Sequence, residues 1–286
     1  MTRTRLGRMA MAAWMTTLMA LAASGAEALP AGAGVKTIRV LWIGNSYTMG
    51  GNLPQRVAGM VNESKAGPRM VSRRALSGGK DFRWHHDDPK SPARTLLKNE
   101  TFDFVCLQNQ SAGAIVKREL MMEYAGKLVK LIRSRGAEPV FFCTWARAFR
   151  PYRKTLDEDH RQIVSAYESL ARAHKARMAA AGPAWREVLK ARPKLSLHAK
   201  DGSHPAAHGA YLNACVFYAA LTGRSPVGLR SGRTFSRRGP KGADGRATRV
   251  QVTIDEPTAR FLQETAWRVH QKFAKDAASP PASRPT

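Results

Sequence analysis

Cysteine is scarce in this sequence. The chain holds three, Cys106, Cys143 and Cys215, each inside an apolar run: FVCLQ, FFCTW and NACVF. An odd count excludes a fully paired disulfide framework, and the spacings match no metal site. All three read as buried small apolar residues and none as a nucleophile. A Cys106–Cys143 bridge is open if their strands are neighbours, but the expectation is against it. Acidic residues are also few: 21 Asp and Glu face 47 Lys and Arg, for a formal net charge of +26. That balance favours contact with nucleic acid, anionic lipid or acidic polysaccharide. The basic residues are spread along the chain, so no single basic arm stands out, and most of the charge reads as solvated surface. Internal repeats are missing, which removes repeat architectures. Beyond the N-terminal region no segment is apolar enough to span a bilayer. The rest is ordinary: 43% hydrophobic and 24% charged over 286 residues, enough for one large or two small folded domains.

The N-terminus carries its own pattern. Arg3, Arg5 and Arg8 are followed by an uncharged, mostly apolar stretch from Met9 to Ala23. Ser24-Gly25-Ala26 and Ala26-Glu27-Ala28 are then small-x-small sites. This is the anatomy of a secretory signal over residues 1–28. The uncharged stretch is at the lower limit of a membrane span, so retention as an anchor is the alternative. The Ser-Gly break and the cleavage-like site favour removal. A secreted or periplasmic location follows, where disulfides can persist.

Short apolar strands then alternate with amphipathic helices. Strands are expected at Thr37–Ile43, Met70–Ala75, Phe102–Leu107 and Pro139–Trp145. The first, third and fourth are nearly continuous in Val, Ile, Leu, Phe and Cys, as in parallel strands buried on both faces. Helices are expected at Leu53–Glu63, Pro92–Lys98, Lys117–Arg135, Leu156–Ala181, Ala206–Leu221 and Glu256–Phe273. The alternation predicts an α/β fold with a doubly wound parallel sheet, in one domain over about 35–275. Residues 223–249 are rich in Gly and Arg and read as a solvated basic loop, with a phosphate-contacting loop as the alternative. From Ala277 to Thr286 the chain is small, polar and Pro-rich, and disorder is expected.

In an open α/β sheet, ligands bind outside the carboxyl ends of the strands. Three segments fall there: GNSYT (44–48), LSGG (76–79) and LQNQS (107–111). A serine such as Ser46 is a poor nucleophile until a base takes its proton, and the usual base is a histidine oriented by a carboxylate. Of eight histidines, His204 has the most telling setting. It lies in DGSHP, three residues after Asp201 on a Gly-containing turn, just before a helix. The same letters also suit a plain turn and helix start. His85-His86-Asp87-Asp88 has ligand chemistry, but consecutive side chains point different ways, so no metal is expected there. A developing oxyanion needs preorganised donors. Gly78 or Gly79 could offer a backbone N–H and Asn109 a side-chain amide.

Taken in chain order, these blocks resemble those of the SGNH hydrolases, the GDSL-type esterases and lipases. GNSYT resembles the first block, with Asn45 where Asp is usual. SGGK resembles the second, LQNQ the third and DGSHP the last. The resemblance spans Thr37 to about Leu229. It implies a flavodoxin-like three-layer α/β/α sandwich with a mostly parallel sheet, and no metal or organic cofactor. It also implies roles: Ser46 as nucleophile, His204 as base and then acid, Asp201 as its orienting partner. The oxyanion hole would be the Ser46 N–H, the Gly78 N–H and the Asn109 amide. The third block departs from G-x-N-D, since Leu107 and Gln110 flank Asn109. The G-x-S-x-G elbow is missing, with Thr48 two residues after Ser46, which argues against the α/β-hydrolase fold.

The expected function is a secreted serine esterase acting on small, acetyl-type esters, with carbohydrate as the expected carrier. No long apolar segment reads as a lid. The positive surface suits an acidic polysaccharide. Two rivals remain: a non-catalytic binding module on the same fold, and a basic binder of nucleic acid through 223–249. The signal-like N-terminus counts against nucleic acid.

Overall fold

A computed structural model describes residues 36–63, 67–149, 155–241 and 247–278. The chain begins with β1 (Thr37–Gly44), α1 (Ser46–Met49), α2 (Leu53–Glu63) and β2 (Arg69–Leu76). It continues through α3 (Phe82–Asp87), α4 (Ala93–Asn99), β3 (Phe104–Leu107), α5 (Gly113–Val116) and α6 (Arg118–Arg133). Then come β4 (Glu138–Cys143), α7 (Leu156–Ala173), β5 (Arg177–Ala180), α8 (Ala181–Ala191) and α9 (Ala207–Thr222). The last elements are β6 (Thr234–Lys241), β7 (Ala247–Thr253) and α10 (Glu256–Ala278).

Strands β1 to β5 form one sheet in the order β2-β1-β3-β4-β5. Every pair in it is parallel. Side chains alternate across a strand, and β1 divides accordingly. Val40 and Trp42 enter one core, shared with α2, α8, α9 and α10. Leu41 and Ile43 enter the other, shared with α6 and α7. Helices thus cover both faces, as the apolar strands require. The doubly wound α/β/α sandwich expected from the alternation is the fold observed. Helix α9 is buried along almost its whole length and packs against α2, α8 and α10. No helix among the described residues is long and apolar enough to cross a membrane.

The strand order reverses about β1. The chain steps from β1 outward to β2, then crosses back to β3 on the other side. At such a switch point the loops after the two inner strands diverge and leave a crevice. GNSYT and LQNQS are those loops.

Three expectations need correction. The helix expected over Leu156–Ala181 stops at Ala173, and the segment then becomes strand β5 and helix α8. Lys175, at φ 42°, turns the chain there. Gly182-Pro183 lies in the first turn of α8. Proline is tolerated in a first turn, where the N–H has no intrahelical partner. A Cβ at Gly182 would come 2.1 Å from the Thr144 carbonyl, so the helix can begin this close to β4 only with glycine. The supposed basic loop takes in β6 and the start of β7, which pair antiparallel from Thr234 opposite Thr253. Arg56 anchors its base by donating to the Gly51, Gly232 and Thr234 carbonyls and stacking 3.5 Å over Phe235. Finally, α10 runs to Ala278, past the expected onset of disorder. The signal-like segment lies outside the described residues.

The three cysteines are free and buried. Cys106 belongs to one core and Cys143 to the other. The sheet therefore stands between them although β3 and β4 are neighbours.

Candidate active site

Strand β1 ends at Gly44, where the backbone is crowded. A Cβ there would meet Thr48 Oγ1 at 2.8 Å and Gln108 Oε1 at 2.9 Å. Asn45 follows in an extended conformation and caps α1, its side-chain oxygen accepting the Tyr47 N–H. Ser46 is therefore the first residue of a helix, just past the carboxyl end of β1 and partly exposed.

Asn45 ties three loops together. Its N–H donates to Gln108 Oε1 at 2.9 Å. Its Nδ2 donates to the Lys80 carbonyl at 2.9 Å and the Asn109 carbonyl at 3.4 Å. Gln108 Oε1 also accepts from Thr48 Oγ1, and Gln108 Nε2 donates to the Asn109 carbonyl. Behind them, His85 Nε2 donates to the Gly44 carbonyl and its Nδ1 faces Ser91 Oγ. Burial lowers the His85 pKa to about 4, so the ring is neutral. The His85–Asp88 run is split: His85 points inward, and His86 pairs with Asp87 outside. Among the described residues no group of three metal-ligating side chains exists.

The DGSHP turn lies across the crevice. Asp201 Oδ1 accepts the N–H groups of Ser203 and His204. Its Oδ2 lies 2.5 Å from His204 Nδ1. With Nδ1–H given to the carboxylate, His204 Nε2 is the acceptor, and Ser46 Oγ is 2.9 Å from it. The three residues read as a triad are thus joined in one hydrogen-bonded line. The His204 hydrogen bond is the chief reason that the Asp201 carboxyl is drawn down to about 2. Asp201 remains a carboxylate throughout the neutral range.

The amide of Asn109 is aimed by its surroundings. Its Oδ1 accepts the Phe82 N–H at 2.9 Å, which leaves Nδ2 as the outward donor. A Cβ at Gly113 would come 2.1 Å from that nitrogen. Gly78 and Gly79 sit in the turn after β2, Gly79 at φ 68°. The turn is tied to the nucleophile's loop at both ends, by the Ser77 N–H to the Gly44 carbonyl and by Asn45 to the Lys80 carbonyl. Gly78 itself has open space around it.

Several residues that build this site escaped the sequence reading. Tyr47 stacks on Trp145 at 4.6 Å, and Trp145 on Trp185 at 4.0 Å. Tyr47 Oη lies 2.7 Å from Ser203 Oγ, and Trp145 Nε1 donates to the Ser203 carbonyl. His204 meets the edge of the Tyr47 ring at 5.5 Å. Gly202, at φ 65°, leaves room for the Phe149 ring, which a Cβ would approach to 2.3 Å. The available signal was position: Trp145 follows β4 at the same sheet end, where the strand-end rule points.

No protein-family model matches the chain, and no curated protein matches it. Solved structures do. A protein from Slackia heliotrinireducens assigned to the SGNH hydrolases superposes with a TM-score of 0.57 at 24% identity, over 65% of this chain and 100% of that one. A DUF4886 family protein from Bacteroides uniformis gives 0.62 at 19%, over 82% and 95%. A mutant acetyl-xylooligosaccharide esterase from Geobacillus stearmophilus gives 0.51 at 17%, over 69% and 99%. The fold of this chain is that of the SGNH hydrolases.

Proposed function

We propose that the protein is a serine hydrolase of ester bonds, working through an acyl-enzyme on Ser46. One observation carries the reading: the unbroken line Asp201 Oδ2, His204 Nδ1, His204 Nε2, Ser46 Oγ, with gaps of 2.5 and 2.9 Å. A carboxylate-held imidazole beside a hydroxyl is the geometry that turns serine into a nucleophile.

In the first step Ser46 Oγ attacks the ester carbonyl while His204 Nε2 takes its proton. The carbonyl oxygen becomes an oxyanion, held by Asn109 Nδ2 and by the Ser46 and Gly78 N–H groups. His204 then gives the proton to the departing alcohol oxygen, leaving an acyl-Ser46 ester. Water then attacks the acyl carbon as His204 takes its proton, and His204 returns that proton to Ser46 Oγ as the bond to the acyl carbon breaks and the acid leaves. Asp201 keeps Nδ1 protonated and offsets the charge on the imidazolium. It does not take up the proton.

The finer reading is a small, acetyl-type ester on carbohydrate, acted on outside the cytoplasm. Its support is the likeness to an acetyl-xylooligosaccharide esterase, the signal-like residues 1–28, and a cationic surface suited to an acidic polysaccharide. No residue of the mechanism calls for a metal or organic cofactor.

The test is hydrolysis of a chromogenic acetyl ester by the purified chain beside Ser46→Ala. We expect turnover in the first and a loss of at least about three orders of magnitude in the second. Equal activity in both would remove Ser46 from the chemistry.

A further inference from the structure

Under the esterase reading, on which this inference rests, two groups fix how a substrate must lie. The alcohol leaves on the side of His204, because His204 protonates it. The oxyanion lies toward Asn109 Nδ2. With Ser46 Oγ, the oxyanion and the alcohol at three corners of the tetrahedral carbon, the acyl chain takes the fourth, away from His204. A cavity of about 320 Å³ adjoins Asn109, bordered also by Gly79 but by none of Ser46, Asp201 and His204. Ligand pockets run from about 300 to 1,000 Å³, so it is a small one, yet an acetyl methyl would leave most of it empty.

Its lining is of two kinds. Phe82 and Met121 are buried in its wall, and Val116, 53% exposed, stands at the side. Arg83 and Lys117 are the cations that line it. Arg83 pairs with Asp87 at the long distance of 4.0 Å, both side chains exposed. Lys117 has no acidic partner among the described residues. The one acid of the lining, Asp81, is already engaged, its carboxylate capping α3 by accepting the Trp84 N–H at 2.9 Å. The chamber thus has an apolar wall, an oxyanion donor at its inner end and two cations in its lining against the single acid Asp81.

We propose that this cavity is the acyl subsite and that it takes a short dicarboxylic acyl group, whose free carboxylate is held by Arg83 and Lys117. The methylene spacer lies against Phe82 and Val116. A simple acetyl ester is then a minimal substrate that fills only the inner end.

The test compares a chromogenic monoester of glutaric acid with the pentanoate ester of the same alcohol, which has the same chain length without the charge. We expect kcat/KM at low salt to favour the anionic ester by about tenfold, two exposed cations each contributing a few-fold. The preference should shrink as salt screens it. It should vanish or reverse in the Arg83→Glu/Lys117→Glu double variant. A second readout is free of turnover: calorimetric binding of the phenyl monoester of glutarate to Ser46→Ala, with and without the two substitutions. Equal cleavage of both esters, unchanged by the double variant, overturns the subsite and leaves the esterase reading standing. Cleavage of neither ester, with binding that depends on Arg83 and Lys117, overturns the esterase reading and supports the anion subsite. Neither cleavage nor binding removes both.

Discussion

Ser46 stands between two unlike halves of one site. On one side the turn carrying Asp201 and His204 is half-exposed, with side chains at 50% and 42% of full accessibility. On the other, Asn45, Gln108 and Asn109 are at 2%, 1% and 2%. Under the proposed reaction, the difference follows from what each half has to do. The acid–base half must receive a leaving alcohol and then a water, so it lies open to solvent. The oxyanion half must offer dipoles that do not reorganise, and these are worth most in a dry, fixed surrounding. In the exposed half the Asp201 and His204 side chains bond only within their own turn and to Ser46. The buried half is woven into the fold, with Asn45 and Gln108 joining the loops after three different strands. Damage to the first should therefore appear in rate alone, and damage to the second in rate and stability together.

The largest effect tests that contrast directly. In Asp201→Asn the side-chain oxygen can still accept the Ser203 and His204 N–H groups, so the turn survives. The amide NH2 now faces His204 Nδ1 and forces the wrong tautomer. We expect kcat to fall by about four orders of magnitude with the melting temperature almost unmoved. Asn109→Ala should cost less rate, about a hundredfold to a thousandfold. It should also cost stability, about 1–3 kcal/mol, because the buried Phe82 N–H loses its acceptor. Kinetics and thermal melts on both variants give the comparison. If Asn109→Ala slows the enzyme without destabilising it, the two halves are not built differently.

The halves also titrate in different windows. His85 has its pKa lowered by burial from 6.5 to about 4. The unfolded chain binds its proton first, so this contribution is whole above about pH 6.5, is lost as pH falls toward about 4, and is flat below. Its size is about 3 kcal/mol. Asp201, lowered from 3.8 to about 2, also stabilises less as pH falls, but only within that more acid range and only slightly, because its side chain is half-exposed and screened by solvent. Because burial brings His160 to about 4 as well, the difference between wild type and His85→Gln isolates the His85 share. Denaturant melts from pH 7 to 3.5 should show the gap between the two proteins narrow as pH drops. A gap constant across that range would contradict a neutral, buried His85 behind Gly44.

The same contrast marks how far the sequence could be read. The fold was legible because buried parallel strands are written as apolar runs, and β1, β3 and β4 stand out as such. β5 was hidden because Arg-Met-Ala-Ala lacks β-branched residues and lies between two true helices. Its strand state comes from pairing with β4 and not from its own preference. Ser46, Asp201 and His204 were legible because their chemistry needs particular letters, two of them three residues apart. The buried half was legible only at Asn109. Gln108 could be read as a loop residue, and only the fold brings it to Asn45 and Thr48. Tyr47, Trp145 and Trp185 look like ordinary core aromatics, since stacking between residues far apart in the chain leaves no mark on spacing.

Tyr47 gives the smallest and most discriminating test, because it belongs to both halves. It follows Ser46 on α1, which Asn45 caps, and its hydroxyl lies 2.7 Å from Ser203 Oγ in the histidine turn. Tyr47→Phe keeps the ring stacked on Trp145 and removes only that bond. The turn keeps the Trp145 bond to the Ser203 carbonyl and the Ala148 N–H bond to the Gly202 carbonyl, so it should loosen without leaving. We expect stability to fall by about 1 kcal/mol and kcat by a few-fold, with KM unchanged, since the loss is in the angle between His204 and Ser46 and not in substrate contact. A kcat equal to that of wild type would mean that the indole and backbone bonds alone hold His204 in register. The two halves would then meet only at the hydroxyl of Ser46.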